Sequence, residues 1–81
     1  MSVEPELLNA RSLPRLGGAV RRLRLERGLS QAELAQRTGV SRQWVIAVER
    51  GRTEGIELGR LLRVLDGLDA SLTIRNDRPA T

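Results

Sequence analysis

One short register restricts this chain more than anything else in it. Ala35, Gly39, Val45 and Val48 follow one another at intervals of four, six and three residues, between Ser30 and Gly51. Ser30-Gln31-Ala32-Glu33 is a capping box, in which the serine caps a helix and the glutamate reaches back to the serine N–H. That helix is short, about Gln31 to Thr38, with Leu34 and Ala35 turned inward, and Gly39 supplies the positive φ of a tight turn. Ser41 then caps a further helix that runs to about Arg50, buries Val45 and Val48, and ends at Gly51. Two short helices joined by so tight a turn must cross closely, and only a small side chain, Ala35, fits the crossing.

The flanking segments supply a core for this pair. Ser12 is a good N-cap for a first helix, Pro14 is tolerated in its first turn, and Leu13, Leu16, Val20 and Leu23 form its buried stripe. Gly17 and Gly18 weaken that helix and point to a close approach, and Gly28 stops it. A fourth helix, about Glu57 to Gly67, carries Leu58, Leu61, Leu62, Leu65 and Leu68 at helical spacing. The period then changes. Ala70, Leu72 and Ile74 alternate with Asp69, Ser71, Thr73 and Arg75, the pattern of a half-buried β-strand. A lone strand has no partner within the chain, so the economical arrangement is pairing with its own copy across a two-fold axis. The alternative is an extended tail lying on the core.

The expected fold is mainly α: a small helical bundle containing a helix-turn-helix, plus one C-terminal strand pairing across a homodimer. Residues 1–12 form an N-terminal arm, 13–68 the domain, 69–75 the dimerisation strand and 76–81 a flexible tail. At 81 residues there is room for one small domain only, which is marginal alone and favours a dimer.

Composition narrows the chemistry. The chain has no His, Cys, Tyr or Phe, and its 14 basic residues are all Arg, against 10 acids. Zinc sites of the usual kind, thiol and imidazole chemistry and lysine Schiff bases are therefore excluded, and no enzyme, metal or cofactor is expected. Many guanidiniums suit the binding of polyanions, although the absence of Lys equally reflects a GC-rich genome. The distribution of charge is more informative. From Arg11 to Arg52 ten Arg face Glu26, Glu33 and Glu49, a balance of +7, and the remaining four Arg face seven acids, a balance of −3. A basic face of this kind docks on phosphates. In that setting Gln31, at a helix start, offers its backbone N–H and side chain to phosphate. The acidic start Met1-Ser2-Val3-Glu4-Pro5-Glu6 is unlike a signal peptide, and no apolar run is long enough for a bilayer, so a cytoplasmic, nucleoid-associated protein is expected, with no membrane contact.

Gly28-Leu29-Ser30-Gln31-Ala32-Glu33-Leu34-Ala35, with Gly39-Val40-Ser41-Arg42-Gln43 and Glu49-Arg50-Gly51-Arg52, resembles the Cro/C1-type (XRE) helix-turn-helix family. The resemblance implies a lambda-repressor-like domain that binds a pseudo-palindromic double-stranded DNA operator as a homodimer. It places Arg42, Gln43 and Ala47 on base edges, and Gln31, Ser41 and Arg52 on phosphates. The chemistry agrees, since Arg pairs with guanine O6/N7, Gln with adenine N6/N7, and Ala meets a thymine methyl. Trp44 either packs near the sugar–phosphate strand or is partly buried against the second helix. Ile46 is expected on the outer face. Arg24 and Glu49 match a structural ion pair between the first and third helices.

The Ala70–Arg75 strand stands where phage-type repressors usually have a fifth helix, and in this the chain resembles HipB-type antitoxins. That second resemblance implies an autoregulating repressor with a HipA-type kinase toxin as partner. Two other readings remain: a stand-alone phage or restriction-control regulator, and an interaction module that neutralises a partner through Leu25 and Val64, which lie off the expected core stripes.

Overall fold

The computed structural model describes residues 4–78, so Met1–Val3 of the arm and residues 79–81 of the expected tail lie outside the described residues. Four helices follow in order: α1 (Leu13–Glu26), α2 (Gln31–Thr38), α3 (Arg42–Glu49) and α4 (Leu58–Gly67). Side chains in the preceding loops start the first three. Ser12 accepts from the Arg15 N–H, Ser30 forms the full reciprocal box with Glu33, and Ser41 accepts from the Trp44 N–H. The box hydrogen bonds to Ser30 lower the Glu33 pKa, so its contribution to stability is present at neutral pH and is lost as the pH falls through that lowered value. Gly39, at φ +74°, closes the α2–α3 turn with its N–H on the Ala35 carbonyl.

Helix α3 packs against both α1 and α2, and α4 packs on α2. Val20, Leu34, Ala35, Val45, Val48, Leu61, Leu65 and Leu68 meet in the core, with Leu16, Leu23, Val40 and Trp44 partly buried around them.

Two expectations need correction. Leu58 and Leu62 belong to the exposed side of α4, and Val64, expected off the stripe, is 1% exposed and fully in the core. With only α2 packed broadly against it, α4 buries the single face that Leu61, Val64, Leu65 and Leu68 share, and Leu58 and Leu62 lie one above the other outside that face. Ile46 is half-buried rather than standing on the outer face. Residues 69–75, expected to pair with a second copy, form no strand within the single chain; among the described residues there is none. The Ala70 N–H donates to the Leu65 carbonyl, and from Ser71 onward the described chain makes no backbone hydrogen bond to another segment. Ala70 packs against the core, and beyond it residues 71–78 are exposed, Ile74 at 92%.

Candidate nucleic-acid interface

The site is organised around a buried ion pair. Arg24, on α1, donates through Nε to Glu49 Oε2 at 2.7 Å and through Nη2 to Glu49 Oε1 at 2.9 Å, while Nη1 reaches the Leu29 carbonyl at 2.8 Å. One guanidinium thus fastens the last turn of α1, the loop before α2 and the end of α3. The two side chains are only 9% and 3% exposed, so the pair is shielded from solvent and salt. The bond to Glu49 raises the already high Arg24 pKa, so the guanidinium keeps its charge.

Gln31 joins this pair, its Nε2 donating to Glu49 Oε1 at 3.3 Å. Its side chain, expected on phosphate, is therefore engaged inside the fold. What remains for an anion is the backbone N–H, which as the first of α2 has no intrahelical acceptor.

The outward face of α3 carries the expected base-reading residues in the expected order. Arg42 and Gln43 are exposed on the first turn, and Ala47, half-buried, follows Gln43 by one turn. Arg42 and Gln43 stand at the N-terminal end of the helix, the end that enters the groove in helix-turn-helix docking. Ser41 is exposed; its oxygen accepts the Trp44 N–H and its hydroxyl proton is free to donate. Trp44 is half-buried against the core cluster, leaving only part of the indole for a DNA strand. Arg52 is exposed on the loop after α3. Sequence reasoning passed over Arg50, an exposed residue at the C-cap of α3, three residues beyond Ala47 on the same outward side. Its only signal was that spacing.

Electrostatics sharpens the picture. Among the described residues, Arg15, Arg21, Arg37, Arg42, Arg50 and Arg52 have no carboxylate within ion-pair distance, whereas Arg22 is held by Glu6 and Glu26, and Arg60 by Glu57. The basic stretch therefore keeps most of its charge available, including every guanidinium on and just after α3. None of the described helices is long and apolar enough to cross a membrane.

A family model described as a helix-turn-helix domain matches residues 15–77. An uncharacterized HTH-type transcriptional regulator of Methanothermobacter thermautotrophicus is 58% identical over 33 residues, 41% of this chain and 48% of that protein, so the match spans about half the relative's length. Among solved structures, the restriction-modification controller protein C.AhdI from Aeromonas hydrophila is 37% identical over 73% of this chain and 88% of its own, with a TM-score of 0.68. The clp gene regulator ClgR from Corynebacterium glutamicum is 33% identical over 79% of this chain and 85% of its own, with a TM-score of 0.69. HipB in its O2 20mer complex aligns with 90% of this chain and 100% of its own at a TM-score of 0.77; at 23% identity this is a likeness of fold.

Proposed function

The chain belongs to the Cro/C1-type helix-turn-helix family of transcriptional regulators, and on that premise we propose that it is a dimeric, sequence-specific repressor of double-stranded DNA. Each α3 enters a major groove, and the two half-sites of a pseudo-palindromic operator lie about 34 Å apart. The observation that carries this reading is the α3 face. Arg42 and Gln43 stand exposed, without a side-chain partner among the described residues, on a helix whose far end is held by a buried ion pair. Arg52, Arg50, Ser41 and the Gln31 N–H supply the grip on phosphate.

The test uses an operator selected from a random duplex library. Arg42→Ala weakens binding to it by about 1–3 kcal/mol and relaxes preference at one base position. Arg52→Ala weakens selected and random duplexes alike and makes the salt dependence shallower by about one unit. An equal loss for Arg42→Ala on both duplexes sinks its base-reading role.

The dimer is part of the same proposal. Leu58 and Leu62 on the outer side of α4, and Leu72 and Ile74 on the segment beyond it, are four of the six large apolar side chains that stand exposed among the described residues. A second copy covers them when Ala70, Leu72 and Ile74 pair with their counterparts in a two-stranded antiparallel ribbon. Leu72→Pro removes a ladder donor and raises the dimer dissociation constant by about tenfold or more. Sedimentation equilibrium reads this directly, and an unchanged dimer refutes the ribbon.

Within this reading we assign the chain to the HipB-like antitoxins that repress their own operon and bind a HipA-type kinase toxin. The support is the exposed, alternating segment after α4, together with a fold likeness covering 90% of the chain. A stand-alone controller is the second reading, favoured by the 37% identity to C.AhdI. A kinase-like reading frame beside the gene, whose product co-purifies with this chain, decides for the antitoxin. The interaction-module reading loses half its surface with the burial of Val64.

A further inference from the structure

Arg52 has an acidic neighbour with which it does not pair. The loop between α3 and α4 is tightly built. The Arg52 N–H donates to the Ala47 carbonyl at 3.2 Å, which pins the loop to the end of α3. Gly51 and Gly55 both have positive φ and bracket a three-residue protrusion, Arg52-Thr53-Glu54. Its middle residue turns inward: Thr53 is half-buried beside Leu13, Leu16, Val48 and Ile56. Its outer two residues are exposed and border the same shallow concavity against Leu13 and Pro14. Glu54 nevertheless lies outside ion-pair distance of every described cation, Arg52 included. An unneutralised carboxylate is thus held on the outward side of the loop beside a guanidinium expected on phosphate.

We propose that Glu54 restrains the sequence-independent grip of this protein on DNA. The inference rests on the DNA-binding reading above and deepens it. When Arg52 meets a phosphate, Glu54 is brought close to the same line of negative charge. The repulsion offsets part of what Arg52 contributes. Random DNA is held almost wholly by phosphate contacts, so the restraint weakens occupancy of non-operator sites, and the base contacts of α3 then decide where the protein resides. The charge is exposed, and its effect is screened by salt.

The experiment measures binding of the full chain to a random-sequence duplex of operator length, over a salt series. Glu54→Gln binds about three- to fivefold more tightly at low salt, and the gain fades as salt shortens the screening length. Glu4→Gln, which makes the same change in net charge at an exposed position of the arm, leaves the affinity within about twofold. Unchanged or weaker binding by Glu54→Gln overturns the inference, and so does an equal gain from Glu4→Gln, which makes the effect one of net charge. A loss confined to the selected operator identifies Glu54 instead as an acceptor for a base edge and equally overturns it. If Arg52→Ala weakens binding while Glu54→Gln does nothing, only this inference fails. If the wild type shows no salt-dependent binding to any duplex, the DNA-binding reading fails with it.

Discussion

Arg24→Ala lowers the stability of the folded chain by about 3–5 kcal/mol. The loss does not come from an attraction removed so much as from a charge abandoned. Glu49 is almost wholly buried and accepts two of the Arg24 N–H groups, and the amide of Gln31 alone cannot solvate the carboxylate that remains. The Leu29 carbonyl loses its guanidinium donor in the same step, which frees the loop that sets the start of α2. A domain of this size has only about 5–15 kcal/mol of stability to lose, at the low end for a short chain, so the variant is expected to be largely unfolded or unfolding near ambient temperature. Urea denaturation followed by circular dichroism measures it. The double variant Arg24→Met/Glu49→Leu restores much of the loss, because no buried charge is left unpaired. A cost for Arg24→Ala below about 1 kcal/mol, the value of an exposed pair, refutes the view that this contact organises the domain. The guanidinium stays protonated throughout the working range, so Arg24 itself adds no pH dependence to stability.

How far the sequence could be read depended on whether a residue's partner was near in the chain. The serine caps at 12, 30 and 41 and the turn at Gly39 are local devices, and all four are where they were expected. The face of α4 was harder. Leu58, Leu61, Leu62, Leu65 and Leu68 share a helical spacing broad enough to cover two faces, and which face is buried depends on α2 lying on one side only. Counting leucines hid Val64. The alternation after Leu68 says nothing about what covers its apolar side: Ala70 packs on the core, whereas Leu72 and Ile74 stand exposed. Gln31 shows the same limit at atomic scale: its side chain is committed to Glu49, eighteen residues away, which no local rule reveals. Glu54 was readable as a charge but not as a neighbour of Arg52 on one protrusion, since that needs the path of the loop through Gly51 and Gly55.

Two adjacent glycines of α1 give the second large effect, and they should answer the same substitution with opposite signs. In a helix, Gly→Ala is worth about 1 kcal/mol of added stability when nothing else changes. Gly18 meets that condition: it is exposed, and a Cβ there finds nothing within 4 Å. Gly18→Ala is therefore expected to raise stability by about 1 kcal/mol. At Gly17 the helix lies directly on α3, and a Cβ would stand 2.2 Å from the Val48 carbonyl oxygen and 2.7 Å from that of Glu49. These are backbone atoms of a packed helix, and neither can swing aside as the end of a side chain would. To admit the methyl, α1 and α3 must separate, which opens the contact that buries Val20 and Val48 and stretches the Arg24–Glu49 bonds. Overpacking of this kind costs about 3 kcal/mol, well beyond the helical gain, so Gly17→Ala is expected to destabilise by about 2 kcal/mol or more. The displaced element is the recognition helix, so Gly17→Ala also loses operator affinity under conditions where it is still folded, and Gly18→Ala does not. Thermal melts of the two variants, paired with binding to the selected operator, separate the effects. A Gly17→Ala protein as stable as Gly18→Ala would show that α1 and α3 do not approach this closely.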